Sequence, residues 1–153
     1  MNERWTWEEL QIISLQKMFL INSDKLETTD STKPYLAAMP GACNEALSLL
    51  KGCKNYLRTY DPTGAEERHH LKPTGLNEDE WYLWPQKITK DTPSEYELPI
   101  DGDLAVLIPL YIASELYKDD DNSIATMYRN EFEAGMHRLT STESFHWTSK
   151  KGW

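Results

Sequence analysis

Between Leu104 and Ser114 the chain carries no charged residue. The run is shorter than the roughly 20 apolar residues that a membrane span needs, so it predicts a buried helix. On such a helix Leu104, Leu107, Ile108 and Tyr111 share one face, and Val106, Leu110, Ala113 and Tyr117 share another. A helix apolar on two sides must be covered on two sides, and part of that cover is open to a second subunit. Asp103 stands where an N-cap is expected for a helix over 103–118, and Pro109 falls inside it, where it removes a bond to the Ala105 carbonyl and bends the axis. The stretch Asp119 to Asn122 stops this helix and caps the next, over 123–139. There Ile124, Met127, Tyr128, Phe132, Met136 and Leu139 recur at spacings of three and four, one apolar stripe opposite Arg129, Asn130, Glu133 and Arg138. The short turn makes these helices an antiparallel pair and the core of the fold.

The rest of the chain is arranged around that pair. Thr6 and Glu9 form a T-x-x-E capping box before Leu10, Ile13 and Phe19, which predicts a first helix over 7–20. A polar loop over 22–33 follows. Pro34 and Gly52 bracket a second helix, with Tyr35, Leu36, Met39, Cys43, Ala46, Leu47 and Leu50 on its buried side and a kink or break at Pro40-Gly41. Asn44 on that helix either faces solvent or bonds across the bundle. Over 54–100 the pattern changes: NYLRTY and EWYLW have strand composition, separated and followed by polar, turn-rich stretches. The expectation is one domain over 1–153, mainly α. It is a small bundle of about four helices with a short β-hairpin or loop insertion between helices 2 and 3. An extended C-terminal tail over 141–153 lacks helical periodicity.

The formal charge of −9 and the pI near 4.9 argue against a grip on nucleic acid through phosphate contacts. The opening MNERWTWEEL is charged and lacks the apolar stretch of a signal peptide, and no membrane span is expected. Cys43 and Cys53 lie ten residues apart on what reads as one helix, about 15 Å, too far for a disulfide. Free thiols fit a reducing compartment.

Candidate chemistry is sparse. His69 and His70 with Glu66 and Glu67 are the nearest approach to a metal cluster, but adjacent residues diverge and no ligand spacing is present, so a solvated loop is the better reading. The run Asp119 to Asp121 lacks the alternating ligands of a calcium loop. Glu131 and Glu133 diverge on a helix and do not make an acid–base pair. Glu115 pairs with a base in the bundle, pairs across a subunit contact, or faces solvent. With no phosphate-binding glycine loop and no G-x-S-x-G, the expectation is no enzyme, no catalytic residue, no metal and no cofactor. Val106, Leu107, Leu110, Tyr111, Tyr117, Tyr128 and Phe132 are expected to pack in the core or against a second subunit. Phe145, Trp147 and Trp153, with Lys150 and Lys151, stand in a polar tail on an acidic chain, the composition of an anchor for an acidic partner.

ELPIDGDLAVLIPLYIASELYKDDDNSIATMYRNEFEAGM resembles a family of phage and prophage head–tail connector (adaptor) proteins. The likeness lies in the apolar helix at Ile108 to Lys118, the acidic turn at Asp119 to Asp121, and the A-x-x-Y-R-N-E-F-E helix at Ala125 to Glu133. YLAAMPGACNEALSLL at Tyr35 to Leu50 and WPQKITKDTPSEYELP also resemble parts of that family, so the likeness covers about half the chain. The region from Lys54 to Glu80 is shorter than the β-rich insertion that some relatives carry. The resemblance implies a structural virion protein at the head–tail junction, present in the host cytoplasm during assembly. It implies a homo-oligomeric, twelve-fold ring beneath the portal protein that serves viral genome packaging, extends the DNA channel without sequence-specific binding, and docks the downstream neck or tail completion protein. A terminal extension would grip the portal, and a carboxylate-lined channel would let DNA slide. The alternative reading is a soluble oligomeric helical interaction or regulatory module.

Overall fold

A computed structural model describes residues 4–19, 25–26, 28–53, 56, 59–60, 81–82 and 85–150; at 59–60, 81–82 and 141–150 the backbone alone is described. The elements in chain order are α1 (Trp7–Phe19), α2 (Lys33–Leu50), β1 (Thr59–Tyr60), β2 (Trp81–Tyr82), α3 (Gly102–Ala105), α4 (Ile108–Leu116) and α5 (Asn122–Lys150). The fold is mainly α, a small helical bundle with α4 at its centre and α1, α2 and α5 packed around it. Every residue of α4 from Ile108 to Ser114 is buried. The apolar helix therefore finds its cover within its own chain.

Local chemistry sets the helix ends. In the box that opens α1, the Thr6 N–H donates to Glu9 Oε1 at 2.9 Å and the Glu9 N–H donates to Thr6 Oγ1 at 3.1 Å, which satisfies two donors that a helix start leaves free. Pro34 stands in the first turn of α2, where its missing N–H costs nothing. Asp121 Oδ1 accepts from the Ser123 and Ile124 N–H groups at 3.1 and 3.2 Å and so caps α5.

Four expectations about helices are corrected. The helix expected over 103–118 is two helices, α3 and α4, separated by Val106 and Leu107. Pro109 has no N–H to give the Ala105 carbonyl, and its ring would crowd that carbonyl, so α3 stops there and Pro109 sits in the first turn of α4 rather than bending a continuous axis. The cap of α3 is Asp101, whose Oδ1 accepts from the Asp103 N–H at 2.8 Å; Asp103 itself is in the first turn and exposed. Conversely, α2 runs unbroken through Pro40-Gly41. The helical backbone of α5 continues through 141–150, past the end expected at 139.

β1 and β2 pair antiparallel, Thr59 opposite Tyr82 and Tyr60 opposite Trp81, the short hairpin expected between helices 2 and 3. The return from that hairpin is not peripheral. Ile88, Leu98, Pro99 and Ile100 are fully buried, and Leu98 and Trp7 hydrogen-bond backbone to backbone with Trp5 and Tyr96 at 3.0 and 2.8 Å. Residues 96–98 thus run as an isolated antiparallel bridge beside the entry to α1, centred on Thr6 and Glu97. Asn44 settles its two alternatives in favour of the bundle. Its amide donates to the Ile88 carbonyl at 2.8 Å and accepts from the Ile88 N–H at 2.9 Å, so one side chain clamps both polar groups of a residue forty-four positions away.

Candidate functional site

The residues expected to pack divide into two sets. Leu107, Leu110, Tyr111 and Phe132 are buried, and Tyr117 and Tyr128 are half-buried against the same core. Val106 is 38% exposed in the turn between α3 and α4 and does not belong to the core, because the interruption at Pro109 turns it outward. Met127, expected in the apolar stripe of α5, is 48% exposed. On α5 the described buried positions are Ala125, Phe132 and Gly135, a narrower seam than the spacing suggested. Gly135 is where α5 comes closest to the turn before α4: a Cβ there would lie 2.7 Å from Leu107 Cδ2.

Above that seam a polar clasp joins three helices. The Tyr111 ring packs on Phe132 at 5.1 Å, and its hydroxyl donates to Glu45 Oε1 of α2 at 3.1 Å. The Arg129 guanidinium lies 4.9 Å from the Tyr111 ring centre and donates to Glu115 at 3.2 Å and to Glu133 at 3.1 Å. Glu115 therefore pairs with a base inside its own bundle. Burial, the hydrogen bond to Glu45, and the carboxylates of Glu115 and Glu45 push the Tyr111 phenol up to about 12, with Arg129 acting the other way. A phenol held neutral beside two engaged carboxylates is a structural joint rather than an acid–base pair. One residue before Arg129 on α5, the Tyr128 hydroxyl donates to the Lys17 carbonyl at 2.9 Å and supplies a partner to the last turn of α1.

Both cysteines are free and buried; burial pushes the Cys43 thiol up to about 12, and Cys53, just past the end of α2, receives a hydrogen bond from the Thr140 hydroxyl at 3.4 Å. Among the described residues no group of three or more His, Cys, Asp or Glu side chains is placed to hold a metal ion, and no helix is long and apolar enough to cross a membrane. His69, His70, Glu66 and Glu67 lie outside the described residues, as do Lys151 and Trp153 and the side chains of Phe145, Trp147 and Lys150.

Two surface arrangements depend on contacts that the sequence did not show. The first is an open groove of about 360 Å³ between the C-terminal half of α2 and the segment returning from the hairpin, lined by Asn44, Ser48, Lys51, Tyr56, Gln86 and Lys87 among others. Its two lysines stand thirty-six positions apart in the chain, and the Asn44–Ile88 clamp holds the second segment beside α2. The second is the acidic turn between α4 and α5, which leans on the start of α2: the Tyr35 hydroxyl donates to the Asp120 carboxylate, and Phe19 stands edge-on to both Tyr35 and Tyr117. Comparisons with family models, with characterised proteins and with solved structures return no match, so the site stands on its own geometry.

Proposed function

We propose that this chain is a head–tail connector that joins others of its kind in a ring beneath the portal of a DNA-filled head, extends the DNA channel and docks the next neck or tail protein. The observation that carries this reading is the resemblance of Ile108 to Glu133 to that family, over the segment that forms α4, the acidic turn and the first half of α5. The charge of −9 supports it, since a lining rich in carboxylates repels the phosphate backbone and lets DNA pass. The reach of α5 supports it too. Twenty-nine residues of helix span about 44 Å, against about 14 Å for the nine of α4. Its last ten residues, beyond Thr140, carry Phe145, Trp147 and Lys150, and with Lys151 and Trp153 that follow in the sequence we assign these to the portal grip.

The function requires no reaction at the clasp around Tyr111 and no cofactor. Its tests are assembly and attachment. Mixed with portal-bearing heads, the full chain should form closed rings visible by electron microscopy. Removal of 141–153 should leave the unfolding midpoint of the bundle nearly unchanged and abolish attachment. A stable two-fold dimer that ignores portals would sink the connector and favour a soluble oligomeric regulatory module.

A further inference from the structure

The basic groove and the acidic turn lie at opposite ends of one helix. Tyr35, which holds Asp120, is in the first turn of α2, and Lys51 directly follows its last turn. Sixteen residue steps separate the two, roughly 24 Å along the axis. The groove's charged lining residues are both lysines, on a chain whose formal charge is −9. Lys87 is exposed and makes no ion pair among the described residues, and its position is fixed from behind by the double hydrogen bond between Asn44 and Ile88. At the far end Asp119 and Asp120 are both exposed, and Asp119 likewise makes no ion pair among the described residues. Asp121 is spent on capping α5, and Asp120 on Tyr35, so the turn is held in a defined shape.

We infer that the groove at the C-terminal end of α2 receives the acidic α4–α5 turn of a second copy of this chain, head to tail. Within one chain the two surfaces are too far apart to meet. Between copies Lys87 at one end and Asp119 at the other can meet, and a contact of that kind propagates until it closes into a ring or grows as a filament. A nucleic acid is the poorer occupant, because two lysines must compete with the repulsion of a strongly acidic remainder. The inference rests on the ring reading above and gives it a specific contact.

Charge exchange in the full chain tests it, with sedimentation and ring counts on portal-bearing heads as readouts. Lys87→Asp and Asp119→Lys should each lower the assembled fraction about tenfold, because each sets like charges against one another across the contact. Lys87→Asp combined with Asp119→Lys in one chain should restore assembly. An equimolar mixture of the two single variants should also assemble, since each supplies the surface that the other lacks. Both positions are exposed, so unchanged unfolding midpoints confirm that folding is not the cause. Restoration within one chain cannot occur if the groove serves an acidic peptide of another protein, so a combined variant no better than the singles overturns the inference. Rings that form normally from both single variants also overturn it and leave the connector reading intact. If the unaltered chain forms no ring on the portal, both fall.

Discussion

α4 and α5 leave the same acidic turn in opposite directions, yet they are used in different ways. α4 is nine residues long and buried on every side, with α1, α2 and α5 around it. α5 is twenty-nine residues long and, among its described side chains, buries only Ala125, Phe132 and Gly135 fully. The first is a core element that happens to be a helix. The second is held by one seam, a polar clasp at Arg129 and a hydroxyl at Tyr128, and most of its described side chains face solvent. Burial of α4 also removes the argument that its apolar character demands a second subunit. If copies of this chain associate, the contact belongs to polar and charged surface, where assembly responds to salt and to the partner.

The largest expected effects test whether the seam is as firm as the centre. Ile112→Ala, in the middle of α4, should cost about 2–5 kcal/mol, and Phe132→Ala on α5 about 3–5 kcal/mol. Denaturant midpoints measure both. A cost below about 1 kcal/mol for Phe132 would mean that α5 is not an integral part of the bundle.

Alkaline pH separates the two helices by a second route. The Tyr111 phenol on α4 is raised from 10.0 to about 12 and the Cys43 thiol from 9.0 to about 12, the first mainly and the second wholly by burial. Groups raised in the folded state contribute stability that is fully present below their unfolded values and is lost as pH rises through the folded ones. The unfolding midpoint should therefore hold steady up to about pH 9 and fall between there and pH 12. Tyr111→Phe should flatten the fall between 10 and 12, and Tyr128→Phe, on the more exposed helix, should flatten it less. Equal effects of the two would erase the contrast between the helices.

A double-mutant cycle sharpens the picture of where they touch. Gly135→Ala alone should be close to neutral. The gain in helix propensity, about 1 kcal/mol, is offset by displacing Leu107, whose Cδ2 is 2.7 Å from the new Cβ. In a Leu107→Ala background the obstruction is gone, and Gly135→Ala should stabilise by about 1 kcal/mol. Strict additivity would mean that the two residues do not meet. The smallest effect belongs to the outer face of α5: Met127→Ser should change stability by no more than about 0.5 kcal/mol, because a side chain half exposed in the folded state has little burial to lose.

What the amino-acid sequence determined by itself is what acts over one or two turns of chain. The Thr6/Glu9 box, Pro34 in a first turn, and Asp121 ahead of α5 all satisfy backbone groups within a few residues, so their chemistry is visible in the string. The class of fold, four main helices with a small hairpin between the second and third, follows from those signals and from the apolar periodicity. The tertiary structure decided whatever depends on distant partners. Pro40 and Pro109 look alike in sequence, but α2 passes through the first and the chain breaks before the second. Asn44 found Ile88, Glu115 found Arg129, and Tyr35 found Asp120, each across a loop or a whole element whose path no local pattern encodes. Lys51 and Lys87 form one groove for the same reason. A periodicity states which residues of a helix can be buried; only the neighbours that close over it state which ones are, and they left Val106 and Met127 outside.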